Sequence, residues 1–102
     1  MLKKARPVLL SHLLDPSPSV RVAVAQTLCD WGMERRALPV LVEALFHGED
    51  KARLFAAIAL GRIGEKARPA MTFIEASLQD PYSHIGQVSK HTLARLKEKY
   101  AV

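Results

Sequence analysis

Internal repetition constrains this chain more than any other feature. Gly32 and Gly64 stand 32 residues apart, and Pro7, Pro39 and Pro69 follow one another at 32 and 30. The text around the prolines recurs as Ala5-Arg6-Pro7-Val8-Leu9, Ala37-Leu38-Pro39-Val40-Leu41 and Ala67-Arg68-Pro69-Ala70-Met71. A second line recurs downstream. Val20-Arg21 through Gly32 aligns with Ala52-Arg53 through Gly64, and Ile85 through Leu96 forms a third copy, after a step one residue longer. A period of this size marks one supersecondary unit used several times, because a single unit cannot bury its apolar face alone. The units run about 3–32, 34–64 and 65–98, within a single domain over residues 1–102.

Each unit reads as two helices. The first carries proline near its start, where a missing N–H costs nothing. Its apolar positions are Val8, Leu9, Leu13 in the first copy, Val40, Leu41, Leu45 in the second, and Met71, Ile74, Leu78 in the third, at helical spacing. The second helix has Val20, Val24, Leu28, Trp31, then Phe55, Ile58, Ile63, then Ile85, Val88, Leu93, Leu96. Ala23, Ala25, Ala56, Ala57, Ala59 and Gly61 allow close approach between neighbours. Gly32 and Gly64 end the second helices, since glycine tolerates the left-handed conformation past a helix C-terminus. Residues 15–21, Asp-Pro-Ser-Pro-Ser-Val-Arg, form the turn within the first unit. Asp15-Pro16 stops one helix, and Ser17 or Ser19 starts the next. The turn is echoed at 47–53 and 80–86. No stretch alternates with period two for long enough to make a strand, so the fold class is all-α.

A chain of 102 residues supports one modest core, and 49% apolar with 25% charged residues is a globular balance. The one cysteine, Cys29, sits beside Leu28 and near Trp31, the setting of a small core residue. Lys3, Lys4 and the run Val8-Leu9-Leu10 imitate a signal peptide. His12, Asp15, two prolines and Arg21 interrupt the imitation. No apolar run approaches the ~20 residues of a membrane helix, so no membrane partner is expected. His12, His47, His84 and His91 are scattered, without the count and spacing of a metal site. No nucleophile elbow, phosphate loop or dinucleotide loop occurs. Glu43 and Glu75 hold equivalent positions in two first helices and read as solvated charges. The expectation is no catalytic residue, no cofactor and no metal.

The formal net charge is +5, and the basic residues are ordered along the chain. Lys3, Lys4, Arg6, Arg35, Arg36, Arg62, Lys66, Arg68, Arg95, Lys97 and Lys99 all fall at unit junctions or chain ends. Stacked units would align these junctions as a basic edge, centred on Arg35, Arg36, Arg62, Lys66 and Arg68, opposite an edge with Asp15, Glu49, Asp50 and Asp80. Arg62 and Lys97 near helix C-termini suit the helix dipole. Arg6, Arg35, Arg36 and Arg68 near N-termini do not, which leaves an anionic partner or solubility as the cause. Nucleic acid would draw on such an edge through its phosphates, but no aromatic residues interleave with it.

A two-helix unit with an early Pro, an Asp in the internal turn, then Val-Arg and a run of Ala and Leu resembles the HEAT repeat. The short period and the passage Gly64, Ala67, Pro69, Ala70 are similar to the HEAT-like units named after phycobilisome lyases. Gly64 through Ala70 and the turn at 15–21 also resemble HEAT-like segments that follow the catalytic domain of some bacterial sulfatases. The first copy matches with Asp15, Val20, Arg21 and Leu28. The second keeps Arg53 but has Ala52 for the Val and His47 for the Asp. The third keeps Asp80 but has Gly86 for the Arg.

The resemblance implies a right-handed α-solenoid of three antiparallel helix pairs, with the second helices lining the inner surface. It implies a non-catalytic protein–protein interaction or scaffold module, such as the C-terminal accessory domain of a sulfatase, whose own nucleophile motif is absent here. The partner would be another protein or an adjoining domain. The alternatives are a HEAT-like nucleic-acid-binding protein using the basic edge, and a lyase-type enzyme acting on a bound pigment or protein. The resemblance further implies a ladder of Asp and Arg between units, with Asp15 pairing Arg53. Arg21 and Arg53 touching a partner is the competing role. The end units lack polar caps, so the chain is expected to be part of a longer polypeptide or to self-associate through an apolar end.

Overall fold

Ser17 starts the first complete helix. Its hydroxyl accepts from the Val20 N–H at 3.4 Å, satisfying one of the donors left free at a helix N-terminus, and Pro18 follows where no donor is needed. This helix, α1 (Pro18–Asp30), ends at Gly32, whose φ of 81° only glycine adopts at low cost. There the Gly32 N–H donates to the Cys29 carbonyl at 3.0 Å and the Met33 N–H to the Leu28 carbonyl at 2.8 Å. Both bonds belong to a Schellman cap and satisfy carbonyls that the helix would otherwise orphan.

The computed structural model describes residues 10–100, and side chains as far as Glu98. Lys3, Lys4, Arg6, Pro7, Val8 and Leu9, the side chain of Lys99, and the start of the first unit lie outside the described residues. After α1 come α2 (Glu34–Phe46), α3 (Asp50–Ile63), a 3₁₀ segment (Gly64–Ala70), α4 (Met71–Ala76), a second 3₁₀ segment (Ser77–Gln79) and α5 (Ser83–Tyr100). Every regular element among the described residues is helical.

The prolines depart from the sequence expectation. Pro39 is inside α2, not in its first turn, because Glu34 to Leu38 already wind helically ahead of it. It removes the donor that would bond the Arg35 carbonyl. Pro69 instead falls in the 3₁₀ segment before α4. The same repeat position thus takes two local solutions, and both prolines remain exposed.

The helices form two layers. α1, α3 and α5 pack in sequence, while α2, the first 3₁₀ segment and α4 make the other layer. The slab measures 40 × 33 × 15 Å. Leu28, Leu41, Leu45, Leu60, Ile74 and Ile85 are fully buried between the layers. Each such side chain contributes roughly 1.5–3 kcal/mol by leaving water. Alanines fill the tighter contacts: Ala25, Ala37, Ala56, Ala57 and Ala67 are buried. At the α3–α5 crossing a Cβ on Gly61 would lie 2.7 Å from the Thr92 Oγ1, so glycine sets the distance between these helices.

Two parts of the apolar stripe expected from spacing lie elsewhere. Val20, Phe55 and Ile58 are partly exposed on the second helices, and in α3 the alanine face does the packing. In the third unit Ser77 is buried and Leu78 exposed. The chain tightens to 3₁₀ geometry there, which rotates the following side chains out of α-helical register. Ser77 Oγ donates to the Ile74 carbonyl and shares a second 2.6 Å hydrogen bond with the Ser89 hydroxyl of α5, so this buried polar pair is satisfied.

Candidate functional site

The turns inside the units share one construction. The Asp15 carboxylate accepts from the Ser17 N–H at 2.8 Å, and the Asp80 carboxylate accepts from the Tyr82 N–H at 2.9 Å. Each is an aspartate folding its own backbone two residues on. The middle unit has His47 in place of the Asp, and Gly48 at φ 98° makes the turn. The arginines repeat as well. Arg21 Nη1 donates to the Pro16 carbonyl at 3.1 Å, and Arg53 Nη1 to the Gly48 carbonyl at 2.8 Å, five residues back in both cases. Arg21 also reaches the Asp15 carbonyl at 2.6 Å.

The expected Asp15–Arg53 pair is not formed. Arg53 turns toward the following unit and meets Asp80, with Nε to Oδ2 at 2.9 Å and Nη2 to Oδ1 at 3.2 Å. The ladder therefore runs from an arginine forward to the next aspartate. Arg21 would meet position 47 by the same rule, and His47 stands there, so its bonds stay within its own turn. The Asp80 side chain is 8% exposed and that of Arg53 19%. Burial pushes the Asp80 carboxyl up, but the hydrogen bonds from Arg53 and the Tyr82 N–H outweigh it and hold the group below its ordinary value. The hydrogen bond to Asp80 correspondingly raises Arg53.

The expected basic edge is divided. Lys66 Nζ lies 2.7 Å from a Glu34 carboxylate oxygen. This pair lowers Glu34 and raises Lys66. Arg68 is half-buried and donates from Nη2 to the Leu96 carbonyl at 3.2 Å. Arg36 is exposed. Arg35 lines a groove in one layer and Arg62 lines a groove in the other, so these two do not share a surface. Lys66 thus ties the third unit to the second, while the Arg68 bond stays within the third unit.

The first groove runs between α2 and α4 and has a volume of about 720 Å³. Leu38, Pro39, Val42, Phe46, Pro69 and Phe73 make it mainly apolar, with Arg35, Glu43 and His47 as its polar members. Phe46 and Phe73 are 37% and 48% exposed and meet edge to face, centroids 6.4 Å apart. Sequence spacing did not single out these phenylalanines. Each adjoins a core position, Leu45 or Ile74, and an aromatic beside a helical stripe was the available signal. The second groove, about 380 Å³, lies between α3 and α5.

Among the described residues no cluster of three or more His, Cys, Asp or Glu is placed to hold a metal ion. His84 Nδ1 lies 3.0 Å from the Tyr82 hydroxyl. Cys29 is buried; burial first, then the nearby Glu34 and Asp30 charges, push its thiol up to about 11. No helix of the described residues is long and apolar enough to cross a membrane.

No curated protein matches this chain. The family model described as HEAT repeats matches residues 6–98. HEAT repeats generally serve as scaffolds for protein interactions, and the all-helical architecture here agrees with that family. The repeated turns, with arginines in equivalent bonds 32 residues apart, are the structural counterpart of the match. The chain belongs to the HEAT-repeat family.

Proposed function

We propose that this chain is a non-catalytic scaffold module that binds another protein or an adjoining domain. Its units would stack as a right-handed solenoid of three antiparallel helix pairs. The observation that carries this reading is the Phe46–Phe73 groove. It gathers two large exposed aromatics and two prolines in one groove. Aromatics that stay exposed at some cost in hydration are the usual anchors of protein interfaces. The finer reading is an accessory domain beside a bacterial sulfatase-type catalytic domain, or a repeat of the phycobilisome-lyase type. Its support is the resemblance of Gly64 through Ala70 and of residues 15–21, and a sulfatase domain encoded in the same reading frame would establish it.

The test is site-specific cross-linking. A photoreactive phenylalanine analogue at position 73 should form a covalent adduct with another protein in cells of the source organism. The same analogue at exposed Ala23, in the other layer, is the control. Equal adducts from both positions, or none from position 73, would count against the reading.

A further inference from the structure

The α3–α5 groove has a chemistry of its own. Its floor is low because Gly61 lacks a side chain and lets Thr92 approach. Ile58, 40% exposed, and Val88 give it an apolar wall. Arg62 and Arg95 give it positive charge, with His91 and Gln87 as further polar members. Neither arginine has an ion-pair partner among the described residues. Glu65 and Glu98 line an adjoining recess with Arg95. Arg62, in the last turn of α3, is favoured by the helix dipole. Arg95 is well inside α5 and has no such reason to stand there. Two arginines are therefore held beside an exposed isoleucine with no ion-pair partner among the described residues.

We propose that the α3–α5 groove receives an extended acidic segment of a protein partner, its carboxylates met by Arg62 and Arg95 and an apolar side chain resting on Ile58 and Val88. The proposal rests on the protein-interaction reading above and names the chemistry of one partner segment. Charge complementarity selects the occupant: the guanidinium fork matches a carboxylate with two parallel hydrogen bonds. The apolar wall selects a peptide over nucleic acid, since no Phe, Tyr or Trp lines the groove to stack a base.

The experiment titrates ¹⁵N-labelled protein with a synthetic peptide of alternating glutamate and leucine. A lysine–leucine peptide and a mixed-sequence single-stranded DNA are run in parallel. The expected result is amide shifts confined to the helical turns around Ile58 to Arg62 and Gln87 to Arg95, with the acidic peptide alone. The exposed pair R62Q/R95Q should weaken this binding about tenfold, as two lost charge-assisted contacts predict. No binding, binding unchanged in R62Q/R95Q, shifts centred elsewhere, or arginine-dependent binding of DNA in place of the peptide would each overturn the proposal. An adduct from position 73 with no peptide in this groove would reject the groove assignment and leave the interaction reading standing.

Discussion

Arg53 and Asp80 lie 27 residues apart in sequence and join two repeat units through a two-pronged pair, 2.9 Å from Nε to Oδ2 and 3.2 Å from Nη2 to Oδ1. Arg53 also closes its own turn on the Gly48 carbonyl. One side chain thus fixes the shape of its unit and the register of the next. The arrangement needs aspartate at 80, and the replacement by His47 leaves the first junction without a matching rung.

Arg53→Ala should lower stability by about 1–3 kcal/mol, the range for hydrogen bonds to charged groups that are partly withdrawn from water. In a domain of this size each kcal/mol moves the melting temperature by roughly 4–8 °C. Arg21→Ala, whose bonds are local, should cost less. A double-mutant cycle over Arg53 and Asp80 should show positive coupling, while Arg53 with Asp15 should be additive. Thermal melts of the single and double variants measure both.

The lowered Asp80 carboxyl makes part of the stability depend on pH. The unfolded chain holds the proton more tightly than the folded one. The contribution is therefore present above the unfolded aspartate value of about 3.9 and is lost as pH falls through the lower folded value. Urea melts from neutral to acid pH should show a steeper acid loss for the native chain than for Asp80→Asn. Parallel curves would mean that Asp80 does not contribute.

Cys29, with its thiol raised to about 11, should resist thiol reagents in the folded protein at mildly alkaline pH. The folded state holds this proton more tightly than the unfolded chain, so stability should fall as pH rises above the ordinary thiol value. Modification by a disulfide reagent should follow global unfolding and accelerate with urea. Fast labelling of the native protein would contradict the buried placement.

Gly61→Ala tests the α3–α5 crossing. Alanine gains about 1 kcal/mol of helix propensity over glycine. The added methyl meets Thr92 at a distance real contacts do not allow, and overpacking of this kind costs about 1–3 kcal/mol. The expected result is a net loss of stability, with the cost of Gly61→Ala reduced in a Thr92→Ala background. Calorimetry of the four proteins would show it.

The repeat period carried the fold into view. Helical spacing, the glycine ends and the Asp-Pro turn were readable because they are local, and a helix cap or a turn needs only nearby residues. Ser17 capping α1 and Gly32 closing it follow directly from the chain. What lay hidden depends on how units sit against each other. The partner of Arg53 was read one unit in the wrong direction, since sequence shows that a ladder residue exists but not which neighbour it faces. Phe55 and Ile58 suggested a buried stripe, but dense alanines on the opposite side allow closer packing and took the core face. Phe46 and Phe73 are 27 residues apart, so only folding brings them to one groove. The basic edge looked uniform in sequence because ion pairing is invisible there, and Glu34 and the Leu96 carbonyl engage two of its members.

Whether the Phe46–Phe73 surface serves a partner is read most directly from Phe73→Ala. Its stability and its capture of the protein cross-linked at position 73 are measured side by side at equal concentration. Phe73 is 48% exposed, so the variant should keep its helical content and lose about 1 kcal/mol of stability from the aromatic contact. Its partner capture should fall at least about tenfold, the loss of one aromatic anchor. Unchanged capture by a folded Phe73→Ala protein would contradict a role for this groove in binding, and collapse of the fold would show Phe73 to be a core residue.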